Sequence, residues 1–104
     1  MRIFLLGFMG TGKSHWGELW AKALHFHFID LDQIIVQQEQ ASIPSIFENK
    51  GEDYFRQKET GALHSLIEED NCIISCGGGT PCFYNNMEWM NKNGLTVFLE
   101  ASPQ

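Results

Sequence analysis

The sequence has little positive charge. Seven lysines and arginines stand against thirteen aspartates and glutamates, a formal charge of −6 at pH 7. It has no basic run, and Arg2 and Arg56 are its two arginines. Such a surface repels a phosphate backbone, which argues against nucleic acid as a partner. A small anionic ligand then depends on a few well-placed cations, and Lys13 and Arg56 are the ones to follow. Also missing is an apolar run near the roughly eighteen residues that span a bilayer, so no membrane partner is expected. Residues 1–9 are apolar like the start of an export signal. Gly7 interrupts them, and Gly10, Gly12 and Lys13 follow where a cleavage site would stand, so a cytoplasmic location is expected. Cysteine is scarce: Cys72, Cys76 and Cys82 are odd in number and lack zinc-like spacing. On one strand, Cys72 and Cys76 lie about 13 Å apart, too far for a disulfide, and reduced thiols are expected.

What is present suits a packed core: 43% of residues are hydrophobic and 19% charged. With no repeat, linker or low-complexity segment, residues 1–104 read as one domain. Residues 2–6 form an apolar run fit for a buried strand, and residues 7–12 a glycine-rich loop. Trp16, Leu19, Trp20, Ala23 and Leu24 recur at helical spacing. Residues 26–29 read as a second strand ending at Asp30, and a helix carrying Leu31, Ile34 and Ile35 follows. Ser42-Ile43-Pro44 looks like a helix start, with Ser45 and Glu48 at capping-box spacing. Gly51 breaks that helix. A longer one is expected over residues 52–69, with Phe55, Ala62, Leu63, Leu66 and Ile67 on one side. Residues 72–76 make a third strand, 86–93 a helix stopped by Gly94, and 95–99 a fourth strand. This alternation predicts an α/β fold with a central parallel sheet and ligands at the C-terminal ends of its strands.

Gly7-Phe8-Met9-Gly10-Thr11-Gly12-Lys13-Ser14 matches the phosphate-binding pattern GxxxxGK[ST] in full. Its glycines allow backbone N–H groups to turn around phosphate oxygens, and the following helix adds the positive end of its dipole. Lys13 can neutralise outer phosphates, and the Ser14 hydroxyl can ligate Mg²⁺. Asp30 and Asp32 end the second strand. In extended backbone they share a face, one carboxylate serving a metal and the other a substrate hydroxyl; the competing reading is a helix cap. Arg56 is either a surface ion pair with Glu52, Asp53 or Glu59, or a planar fork for a carboxylate. Gly77, Gly78 and Gly79 allow close backbone approach at a strand end.

GFMGTGKS, FIDLD, SIPSIFENKGEDYFRQKE, a strand into CGGG, and TVFLEASPQ together resemble shikimate kinase over essentially the whole chain. The segment from Phe47 to Glu59, of form FxxxGExxFRxxE, is the most specific part. The resemblance implies a P-loop kinase fold, with the central parallel sheet flanked by helices on both faces. It also implies transfer of the ATP γ-phosphate to the 3-hydroxyl of shikimate, a step toward chorismate and the aromatic amino acids, with Mg²⁺ as cofactor. Carried over, Gly10, Thr11, Gly12, Lys13, Ser14 and His15 bind the nucleotide, and Ser14 and Asp30 the metal. Lys13 and Asp32 are catalytic, Asp32 as base and hydroxyl ligand. Arg56 pairs with the acceptor carboxylate, Gly78 and Gly79 offer backbone contacts, and Phe47 and Phe55 line the ring. The resemblance departs at His15, where the family carries threonine. It also implies an arginine-bearing lid, a further substrate arginine, a fifth strand and a closing helix after residue 104, the full-length protein being a monomer. A chain ending at residue 104 is therefore expected to be poorly active and to self-associate through its fourth strand. The alternatives are another P-loop metabolite kinase, of gluconate or nucleoside-monophosphate type, or a catalytically silent nucleotide-binding module. Trp16 and Trp20 read as packing residues, His25, His27 and His64 as packing or surface residues, and Glu68-Glu69-Asp70 as a solvated helix end.

Overall fold

Four consecutive apolar residues, Ile3 to Leu6, cannot present a polar face to water, and they form the middle of a strand buried on both sides. The computed structural model of the chain describes residues 1–7, 13–77 and 79–99, without the side chains of Lys13 and Ser14. Its elements run β1 (Arg2–Gly7), α1 (Lys13–Leu24), β2 (His27–Asp30), α2 (Leu31–Glu39), α3 (Ile43–Lys50), α4 (Glu52–Ser65), β3 (Cys72–Ser75), α5 (Asn86–Asn93) and β4 (Leu95–Leu99). The four strands are parallel in the order β2-β3-β1-β4, so β1 and β3 are central. Among the described residues no helix is long and apolar enough to cross a membrane.

The period of two along a strand sorts the side chains onto two faces. Phe4, Leu6, Cys72 and Ile74 face one way and meet Leu31 and Ile35 of α2, Ile46 of α3, Phe55 and Leu63 of α4 and Met90 of α5. Ile3, Leu5 and Ile73 face the other way and meet Ala21 of α1, with Trp20, Phe28, Val97 and Leu99 half-buried around them. Helices thus flank both faces, as the resemblance implies. Among the described residues no disulfide joins the cysteines; Cys72 and Cys76 are buried and Cys82 is exposed. Trp16 is exposed and stacks toward Trp20 at 6.1 Å, a packing contact at the helix edge. His64 stacks on Trp89 at 4.5 Å.

The helix α3 starts where Ser42-Ile43-Pro44 predicts, but its cap and the end of α4 differ from expectation. The cap of α3 is Ser42, whose Oγ accepts the Ser45 N–H at 3.3 Å, while Ser45 Oγ accepts from Asn49 Nδ2 at 3.1 Å. Pro44 in the first turn has no N–H to satisfy, which suits the start at Ser42-Ile43-Pro44, and the Ser42 cap stands in place of a Ser45–Glu48 capping box. The long helix ends at Ser65 rather than Glu69, where Ser65 Oγ donates to the Ala62 carbonyl at 2.6 Å and competes with helix continuation. A 3₁₀ turn, Leu66–Glu68, follows and turns Ile67 out to solvent.

Candidate active site

β1, β2 and β3 deliver their last residues to one end of the sheet, where the fold class places its ligands. Gly7 ends β1. Gly10, Thr11 and Gly12 lie outside the described residues, as do the side chains of Lys13 and Ser14, but α1 opens at Lys13, so its N-terminus faces this end. His15 is exposed on the first turn of α1, its ring edge-on to Trp16 at 5.3 Å.

Asp30 ends β2 in extended backbone and caps α2: its Oδ1 accepts the Asp32 N–H at 3.0 Å. Asp32 is therefore helical, in the first turn of α2. The two carboxylates are neighbours through a cap and not through an extended segment, because the fully buried Leu31 turns inward between them to join the core. Asp32 reaches β3's end: a Cβ built on Gly77 would lie 3.7 Å from Asp32 Oδ1 and 3.5 Å from Glu59 Oε2.

Arg56 stands on α4, above the same turn. Its Nη1 donates to Glu59 Oε1 at 3.0 Å, and the two side chains are 15% and 1% exposed. A carboxylate this deeply buried needs its partners, and Glu59 has a second one, because its Oε2 accepts the Thr80 hydroxyl at 2.7 Å. Of the three acids offered by spacing, the i, i+3 partner Glu59 is the one used. Phe47 and Phe55, with centroids 4.7 Å apart, lie 5.9 and 5.2 Å from Arg56 Cζ. Phe83 is nearer, at 4.4 Å. Gly79 completes the enclosure, since a Cβ there would stand 2.7 Å from Arg56 Nη2 and displace the guanidinium. Gly78 lies outside the described residues.

The geometry thus gathers Asp32, Phe47, Phe55, Arg56 and Gly79 around one turn. Sequence reasoning named these but left Glu59 among several ion-pair partners and passed over Thr80, Phe83 and Asn86. Asn86 is fully buried and its Nδ2 donates to the Thr80 carbonyl at 3.1 Å and to Thr60 Oγ1 at 3.0 Å. The i, i+3 spacing of Arg56 and Glu59 was a usable signal; no local pattern marks the other three. Chemically, the arrangement offers a fixed guanidinium for a carboxylate and a carboxylate for a hydroxyl, next to the opening of a phosphate-loop helix.

Comparison with known proteins gives a consistent result. The family model described as Shikimate kinase matches residues 9–104. The chain is 47% identical over 103 residues to the shikimate kinase of Bacteroides thetaiotaomicron, covering 99% of this chain and 59% of that protein. It is 44% identical over 100 residues to that of Aquifex aeolicus, covering 96% and 60%. The crystal structure of the Bacteroides thetaiotaomicron enzyme superposes with a TM-score of 0.92, covering 95% of this chain and 56% of that one. Shikimate kinase from Acinetobacter baumannii in complex with shikimate superposes equally well, with a TM-score of 0.92 at 36% identity, covering 97% and 56%. The chain spans about three fifths of the length of the curated relatives it matches.

Proposed function

This chain belongs to the shikimate kinase family, and from that premise we propose that its site transfers the γ-phosphoryl group of ATP to the 3-hydroxyl of shikimate, giving shikimate 3-phosphate and ADP. The observation that carries the reading is the convergence of the caged Arg56 and the carboxylate of Asp32 on the turn after β3, beside the start of α1. An acceptor carrying both a carboxylate and hydroxyls matches that pair. In this reading Arg56 pairs with the carboxylate, and Phe47 and Phe55 pack the ring. Gly78 and Gly79 offer backbone contacts. Asp32 accepts the proton of the attacking hydroxyl, and holding that hydroxyl near the phosphate converts the reaction into an intramolecular one. Gly10, Thr11, Gly12, Lys13, Ser14 and His15 hold the nucleotide, with Lys13 neutralising charge on the transferred group.

Mg²⁺ fits the donors available. Asp30 gives one bond to the Asp32 N–H, and a carboxylate retains acceptor capacity beyond it. Mg²⁺ takes one or two protein oxygens and completes its shell with phosphate and water. Ser14 and Asp30 would be those ligands. The ion would supply charge neutralisation on the phosphates. The acidic surface and this reading agree with a cytoplasmic enzyme that does not bind nucleic acid.

The test is a coupled ADP-release assay on the intact protein with shikimate, gluconate and a nucleoside monophosphate offered in turn. Turnover with shikimate alone, nearly abolished in Lys13→Ala, is expected. Turnover with another acceptor and none with shikimate would overturn the substrate assignment. Nucleotide binding with no transfer to any acceptor would mark a silent module.

A further inference from the structure

The guanidinium of Arg56 has one described hydrogen-bonded partner, and the ring nearest to it comes from neither helix of the specific segment. Nη1 donates to Glu59, while Nε is buried and without a hydrogen-bond partner. A single bond on one edge leaves a planar cation free to swing about that bond. The rings packed around it are its other constraint. Phe83, in the loop between β3 and α5, lies 4.4 Å from Cζ, closer than Phe55 at 5.2 Å or Phe47 at 5.9 Å. A cation over an aromatic face is held by the ring quadrupole, more strongly where water is excluded.

The loop carrying Phe83 is tied at both ends to α4, the helix that carries Arg56. At the near end Thr80, fully buried, donates to Glu59 Oε2 at 2.7 Å. At the far end Asn86 bonds Thr60 at 3.0 Å and returns its own backbone N–H to the Phe83 carbonyl at 2.9 Å. Between them Tyr84 and Asn85 take left-handed backbone, φ 52 and 57, and Tyr84 is left 53% exposed. A tyrosine in that region is unfavourable, and the tethers at Thr80 and Asn86 hold it there. The turn sends the preceding ring inward to Arg56 and the following one outward.

We propose that Phe83 is a positioning residue of the acceptor site: packed against Arg56, it holds the guanidinium in the orientation that receives the acceptor's carboxylate. The proposal rests on the reading of Arg56 given under Proposed function. Bidentate recognition tolerates only about 10–20° of misorientation, so loss of the ring weakens the carboxylate contact without touching the acceptor's hydroxyl contacts.

The experiment is calorimetric titration of the intact protein with shikimate and with its uncharged methyl ester, using wild type, Phe83→Ala, Phe83→Leu, Phe83→Tyr and Arg56→Ala. Phe83→Leu keeps bulk without the ring and guards against collapse of the loop in Phe83→Ala; a thermal melt accompanies each variant. Phe83→Leu is expected to bind the acid about tenfold more weakly, with ester and nucleotide affinities within about twofold of wild type. Phe83→Tyr is expected to restore acid binding. Arg56→Ala is expected to erase the preference for acid over ester. Equal weakening of acid and ester in Phe83→Leu, or unchanged acid binding, would overturn the role of Phe83 while leaving Arg56 in place. If Arg56→Ala keeps the acid preference, the reading of Arg56 itself fails, and the proposal with it.

Discussion

Arg2 and Arg56 stand at opposite ends of the same sheet and are held in opposite ways. Arg2 begins β1 and spends its donors on backbone: Nε on the Asn93 carbonyl at 2.8 Å, Nη1 on those of Glu69 at 2.8 Å and Ile67 at 3.2 Å. Those carbonyls close the end of α5 and the turn after α4, where orphan acceptors and the negative end of the helix dipole favour a cation. Arg56 sits near the start of α4, where the dipole favours no cation, with one carboxylate, three phenyl rings and an Nε lacking a partner. Among its backbone carbonyls, Arg2 ties helix ends to the sheet. Arg56, rigid and under-used, is suited to taking a ligand that brings its own acceptors.

The comparison predicts two different phenotypes, the largest effects expected here. Arg56→Ala should weaken acceptor binding by about 2–5 kcal/mol, the range for losing one partner of a buried charged pair, and should also lower stability, because the buried Glu59 loses its cation. Arg2→Ala should lower stability alone, by about 1–3 kcal/mol through carbonyls left with weaker partners, while acceptor affinity stays within about twofold. Urea unfolding and calorimetric titration of both variants read this out. Acceptor binding lost in Arg2→Ala at full stability would break the division between a structural and a ligand-taking arginine.

The thiols offer a second, milder contrast, between the closed sheet face and a loop. Cys72 and Cys76 lie under α2 to α5, whereas Cys82 sits in the exposed turn before Phe83. Burial pushes the Cys72 thiol up from its ordinary pKa, so it presents little thiolate at neutral pH. N-ethylmaleimide with the native protein should label Cys82 quickly and the other two only after denaturant is added, as intact mass would show. Rapid labelling of Cys72 in the native protein would mean that the closed face opens readily.

How much of this was legible beforehand follows from the range of each interaction. The strands, their parallel pairing and the inward faces of α2 and α4 come from period and composition within single segments, and the four strands match within a residue or two. The end of α4 was misjudged because Ile67 continues the apolar pattern while Ser65 and the carbonyls bonded by Arg2, set by contacts elsewhere in the chain, end the helix. For Asp30 and Asp32 the sequence offers both a shared extended face and a helix cap, and the structure takes the cap, because the helix carrying Leu31 begins directly after Asp30. The Arg56 enclosure was half legible. Phe47, Phe55 and Glu59 share its neighbourhood in sequence, but Phe83 and Thr80 arrive from the far side of β3, and only the folded chain brings them together.

The smallest effect expected tests whether the closed face owes anything to polar clasps between its helices. The Tyr54 hydroxyl on α4 donates to Glu39 Oε1 at the end of α2, at 2.6 Å. That hydrogen bond, with burial and the nearby Glu39 charge behind it, holds the phenol above its ordinary pKa of 10.0. A pKa raised on folding contributes stability that is fully present below the unfolded value and is lost as pH rises through the folded one. Tyr54→Phe removes the hydroxyl but keeps the ring that Lys50 and Lys58 approach at 5.5 and 5.4 Å. The difference in unfolding free energy between wild type and Tyr54→Phe should therefore be constant from neutral pH to about 10 and shrink toward zero above it. Chemical denaturation of both proteins across that interval measures it. A difference that grows with alkaline pH would mean the phenolate, not the phenol, is the form the fold prefers, and that the lysines rather than Glu39 govern the clasp.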